Sequence, residues 1–71
     1  MFEINWTESG RGKYFFEAGK YVLKMRQMGN RYLYEVWEHE ELKFNTWMKG
    51  NFLRLARKIC TGERFSWGDY A

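Results

Sequence analysis

The sequence predicts an α+β fold: a small antiparallel sheet of three to five strands with one C-terminal amphipathic helix packed on one face. Three observations predict it. Period-two alternation runs on both sides of a Gly29-Asn30 pair, an apolar stripe at helical spacing runs from Phe52 to Ile59, and no proline-rich or low-complexity linker separates the two. A chain of 71 residues makes one domain, here 1–71, and its single cysteine rules out an intramolecular disulfide. Packing or oligomerisation must therefore stabilise it. Fifteen aromatics, four Trp, five Tyr and six Phe, supply large buried areas, and they are more than so small a core readily hides. Some are expected on the surface, where clustered aromatics mark contact sites.

Phe2, Ile4 and Trp6 alternate with Glu3, Asn5 and Thr7, the pattern of a first strand with one buried face. Glu8 to Lys13 holds two glycines and no apolar residue, so it reads as a mobile turn. Tyr14-Phe15-Phe16-Glu17 then pairs back on the first strand, and Ala18-Gly19-Lys20 makes a bend before the next one.

Tyr21 to Met28 and Tyr32 to Glu38 form a hairpin about Gly29-Asn30, residues that tolerate positive φ in a two-residue loop. Opposed positions then sum to 59, which places Met25 against Tyr34, Leu23 against Val36 and Gln27 against Tyr32 on the core face. On the outer face Lys24 opposes Glu35, Arg26 opposes Leu33 and Val22 opposes Trp37. The next turn lacks glycine, and its length is inferred from what it must align. An odd loop, His39 to Glu41, sets Val36 against Phe44 and Tyr34 against Thr46 and keeps that face apolar. The outer face then collects Val22, Leu33, Trp37 and Trp47 with Lys24, Arg26, Glu35 and Lys43.

Met48-Lys49-Gly50 breaks the strand, and Asn51 is the expected helix N-cap. Phe52, Leu55, Ala56 and Ile59 share one helical face flanked by Leu53 and Cys60, and Arg54, Arg57 and Lys58 share the opposite one. Gly62 ends the helix in the left-handed position. Residues 62–71 form an aromatic tail with Phe65, Trp67 and Tyr70, which either folds over uncovered sheet or stays mobile until bound.

No enzyme, metal or cofactor is expected. The Glu38-His39-Glu40-Glu41 cluster lacks the i, i+4 helical arrangement of zinc-binding histidines and holds the only His, so a solvated turn is the plainer reading. Cys60, on the apolar side of the helix, reads as a small buried hydrophobe. Gly10-Arg11-Gly12-Lys13 lacks the spacing, the following Ser or Thr and the helix that a phosphate loop needs. The first five residues lack a basic segment and an apolar run, and no stretch is apolar enough to span a bilayer. The expectation is a cytoplasmic protein without membrane contact, and one free cysteine fits a reducing compartment.

Two surfaces remain as candidate partner-binding sites. The net charge is +3, but the twenty residues from Lys43 to Gly62 hold five cations and no acid. Within them Arg54, Arg57 and Lys58 form a basic helix face that suits phosphates or an acidic protein groove. The plainer alternative is the polar outside that any helix packed on a sheet requires. The second surface is the outer sheet face, where Trp37 and Trp47 stand with Arg26, Lys24 and Lys43. Exposed aromatics among cations stack the bases of single strands, and they equally anchor protein interfaces. The plainer alternative is that the first strand or the tail folds over this face and buries it.

Tiny, single-domain, aromatic-rich and without a catalytic motif, the chain resembles the small RNA-polymerase-binding regulators made by lytic Xanthomonas phages. The resemblance implies a non-enzymatic protein of the host cytoplasm that binds host RNA polymerase, inhibits initiation or antiterminates, and contacts RNA or DNA within that complex. It assigns no individual residue. Direct single-stranded nucleic-acid binding by the outer face, and inhibition of some other host protein, are the competing expectations.

Overall fold

The computed structural model describes residues 2–70; Met1 and Ala71 lie outside them. Five strands, β1 (Thr7–Gly10), β2 (Lys13–Ala18), β3 (Tyr21–Met28), β4 (Arg31–Glu38) and β5 (Glu41–Thr46), form one antiparallel sheet in chain order. One helix, α1 (Lys49–Thr61), packs against β4 and β5, and a short 3-10 turn at Trp67–Asp69 precedes the end. The strands are joined by two-residue turns, Arg11-Gly12, Gly19-Lys20, Gly29-Asn30 and His39-Glu40.

The β3–β4 register is the expected one, with Leu23 opposite Val36, Lys24 opposite Glu35 and Met25 opposite Tyr34. Gly29 has φ 67°, the left-handed conformation that this turn requires of its first residue. Between β4 and β5 the expected pairs Val36–Phe44 and Tyr34–Thr46 form, but the three-residue loop does not. The turn is two residues long, with Trp37 opposite Leu42 and Glu38 opposite Glu41, and the register shifts by one between Trp37 and Val36. Lys43 is the extra residue of that bulge. The bulge does what a longer loop was expected to do: it returns Phe44 to the core face. His39 takes the strained role in the turn, with φ 56° in a residue that is not glycine.

The first strand is not where its alternation placed it. Phe2, Ile4 and Trp6 are half-buried between exposed Glu3, Asn5 and Thr7, yet residues 2–6 pair with no strand. Strand β1 starts at Thr7, the last residue of that alternation, and continues into the stretch expected to be a mobile turn: Thr7 opposes Phe15 and Glu8 opposes Tyr14. Alternation reports which side chains are shielded; here the shield is the helix, because Trp6 stacks on Phe52 with ring centroids 6.0 Å apart.

The helix begins two residues earlier than its expected cap. Met48 occupies the N-cap position without a side-chain hydrogen bond, and Asn51 lies inside the first turn, where its Oδ1 accepts from Arg54. Thr46 Oγ1 accepts the Met48 backbone N–H at 3.0 Å. Gly62 closes the helix as expected, at φ 76°, its N–H directed to the carbonyl of Ile59. A Cβ added at Gly62 would meet nothing within 4 Å, so Gly62→Ala tests the backbone cost alone. The expected loss is about 1–2 kcal/mol of unfolding free energy, measured by urea denaturation.

The core lies between the sheet and α1: Leu23, Val36, Phe52, Leu55 and Ala56 are fully buried, with Tyr34, Phe44 and Tyr70 almost so. Both chain ends add to this same layer. Phe2, Ile4 and Trp6 pack on the core from one end, and Phe65 and Trp67 from the other, each with its ring against Tyr21. Tyr70 sets its ring edge against Phe44. The tail is therefore part of the fold, on the helix side of the sheet.

Candidate binding face of the sheet

With both ends packed beside the helix, the opposite face of the sheet carries no covering segment among the described residues. Alternation and the observed pairings map this face row by row. One row runs Glu17, Val22, Trp37 and Leu42; the next runs Thr7, Phe15, Lys24, Glu35 and Asn45; a third runs Lys13, Arg26 and Leu33. Phe15 and Lys13 belong to it through the β2–β3 register, and neither is among the residues expected there. The Gly19-Lys20 turn was the available signal, since a two-residue loop at that point sets Phe15 opposite Lys24.

At the centre stands a connected group. Glu35 is only 5% exposed, although no element covers it; its neighbours Arg26, Lys24 and Trp37 shield it. Arg26 Nη2 donates to Glu35 Oε2 at 3.2 Å, and Trp37 Nε1 donates to Glu35 Oε1 at 3.2 Å. Lys24, directly opposite Glu35, instead lies over the Trp37 ring with its Nζ 4.5 Å from the centroid. The long arginine side chain reaches the carboxylate along the diagonal. Arg26 Nε is buried without a hydrogen-bond partner. A shallow concavity of about 740 Å³ opens over this group, with Ser9, Lys13, Tyr14, Phe15 and Val22 completing its lining.

The other candidate residues are not gathered here. Trp47 lies past the end of β5, exposed, with the Arg31 guanidinium 4.2 Å from its ring centroid. Thr46 opposes Tyr34 and Trp47 follows it, so Trp47 sits four strand positions from Trp37, roughly 13 Å at the usual strand rise, and the two tryptophans stand apart on the face. Lys43, the bulge residue, pairs with Glu41 at 3.2 Å. Arg54, Arg57 and Lys58 lie on the helix, in the other layer of the molecule. There the folded tail brings acids that the helix segment lacks: Glu63 and Asp69 line the same shallow groove as the three cations, and Arg54 lies 5.9 Å from the Tyr70 ring. This mixed groove has the signs of an ordinary solvated helix face. Cys60 is exposed, not buried as its helical position had implied, and the partial burial that remains pushes its thiol pKa up. No helix among the described residues is long and apolar enough to cross a membrane.

The fold and this face define a small α+β domain whose sheet is closed by helix and chain ends on one side and open, aromatic and cationic on the other. No protein-family model, characterised protein or solved structure matches the chain, so its function is argued from these residues.

Proposed function

We propose that the protein is a non-enzymatic cytoplasmic binding module that takes single-stranded nucleic acid on the open face of its sheet. The observation that carries this reading is the interleaving of Phe15 and Trp37 with Lys13, Lys24 and Arg26 on one uncovered surface. Bases have π-faces that stack on aromatic rings whatever their sequence, at about 1–3 kcal/mol each, and the phosphates between them need cations at short range. A duplex hides its base faces and makes a poorer ligand for such a surface. Titration with a short oligonucleotide is expected to quench tryptophan fluorescence. Three phosphate contacts give a slope of log K against log salt of about −2, so affinity falls roughly 20-fold between 50 and 200 mM salt. Absence of both quenching and a mobility shift at low salt sinks the proposal.

A second reading, binding to bacterial RNA polymerase with an effect on initiation or termination, rests on the resemblance of the chain to small phage regulators and is compatible with the separation of the two surfaces. The open face and the Arg54, Arg57 and Lys58 groove lie in opposite layers, so one can hold a nucleic-acid strand while the other meets a protein. Co-elution with purified polymerase on gel filtration at moderate salt is the expected result. Elution of the two as separate species excludes this reading and leaves the first intact.

A further inference from the structure

A carboxylate at the centre of a cationic face is an anomaly for a surface that binds a polyanion. Glu35 repels phosphate, and its removal would raise the charge of the face by one. Yet it is the most buried residue of that face, and each of its oxygens is engaged by a different neighbour: Oε1 by the Trp37 indole N–H and Oε2 by the Arg26 guanidinium. We infer, on the basis of the nucleic-acid reading, that Glu35 is the positioning residue of a single-nucleotide subsite, with Trp37 the platform for the base and Arg26 and Lys24 the cations for the adjoining phosphate.

Three features make the subsite. The indole is attached at both ends, by its backbone in β4 and by the bond from Nε1 to Glu35, so its plane is held before a ligand arrives. A platform already fixed loses little entropy on binding. The bond to Glu35 takes one nitrogen of the Arg26 guanidinium, Nη2, while the side chain as a whole stays 42% exposed. The group is thus oriented by the carboxylate and keeps donor capacity for phosphate oxygens. Lys24 rests on the Trp37 ring in the free protein. A stacking base takes that place, and the released ammonium, on a flexible four-carbon stem, moves to the phosphate.

Charge and position predict opposite signs, which makes the inference testable. If Glu35 contributes only its charge, Glu35→Gln tightens binding of a short oligonucleotide and steepens the salt slope by about 0.7. If it positions Trp37 and Arg26, Glu35→Gln weakens binding about five- to twentyfold despite the added positive charge. Glu35→Asp separates the two effects, because it keeps the charge and withdraws the carboxylate by one methylene; the expected loss is of the same size. In a Trp37→Ala background the Glu35→Asp loss is expected to shrink to the part that acts through Arg26, a coupling that a merely structural role does not produce. Thermal melting of each variant confirms folding at the temperature of the titration. Wild-type binding with unchanged or tighter binding by both Glu35 variants overturns the inference alone. Failure of the wild-type protein to bind any single strand overturns the nucleic-acid reading and this inference with it.

Discussion

Phe52→Ala is expected to leave a chain that is largely unfolded at 25 °C, seen as loss of helical and sheet ellipticity and of any cooperative urea transition. Phe52 is fully buried, and its ring lies against two others: Tyr34 from β4, with centroids 4.7 Å apart, and Trp6 from the N-terminal segment, at 6.0 Å. It is therefore the side chain through which helix, sheet and chain start meet. Removing a buried Phe costs about 3–5 kcal/mol, from lost transfer free energy and the cavity left behind. A single core in a chain of this size rarely supplies more than about 3–5 kcal/mol in total, so the substitution consumes most or all of it. Phe52→Leu keeps much of the volume and is expected to remain folded, with a loss nearer 1–2 kcal/mol and a Trp6 fluorescence spectrum shifted to the red as its stacking partner disappears. If Phe52→Ala melts within a few degrees of the wild type, the N-terminal segment and helix do not share one core.

The difference between what the residues announced and what the fold does follows from what each signal measures. Gly29-Asn30 left one loop length for the central hairpin, so the pairing of eight residues on each side could be counted. Between β4 and β5 the core residues announced the register, but a bulge at Lys43 and a left-handed His39 achieve it in place of a longer loop. Neither position carries the glycine or asparagine that usually marks such geometry. The N-terminal alternation announced that Phe2, Ile4 and Trp6 would be shielded and could not say by what. A helix face, like a sheet face, shields alternate residues of an extended segment, and only the backbone hydrogen bonds distinguish them.

The same limit applies to the binding face. Register set Lys24 opposite Glu35, and opposite positions are the ones that sequence can pair; the structure pairs Glu35 with Arg26 along the diagonal and sends Lys24 to the Trp37 ring. Which of two cations takes a carboxylate depends on side-chain reach and on competition from an aromatic face, and neither is a property of spacing. The basic helix shows the complementary limit. Its cations were read along the chain, where no acid intervenes, but Glu63 and Asp69 come to them through space when the tail turns back. The open sheet, more than the groove of Arg54, Arg57 and Lys58, brings aromatic rings and cations together.

Trp37 and Trp47, which sequence reasoning placed together, are expected to separate in experiment. Trp37→Ala removes the proposed base platform and the indole donor to Glu35, and one lost stack of about 1–3 kcal/mol weakens oligonucleotide binding by roughly 5- to 150-fold. The domain stays folded, because Trp37 is half-buried on the open face and takes no part in the core around Phe52. Trp47→Ala acts roughly 13 Å away along the strand direction, on a residue that is 43% exposed and contacts Arg31, and is expected to change affinity less than threefold for an oligonucleotide too short to reach it. Oligonucleotide length then becomes the control. Lengthening the strand until it spans the face restores a contribution from Trp47 without altering that of Trp37. Equal losses from both substitutions with a two- or three-nucleotide ligand contradict a localised platform at Trp37, whereas loss of stability in Trp37→Ala comparable to that of Phe52→Ala makes the residue a core element and not a binding one.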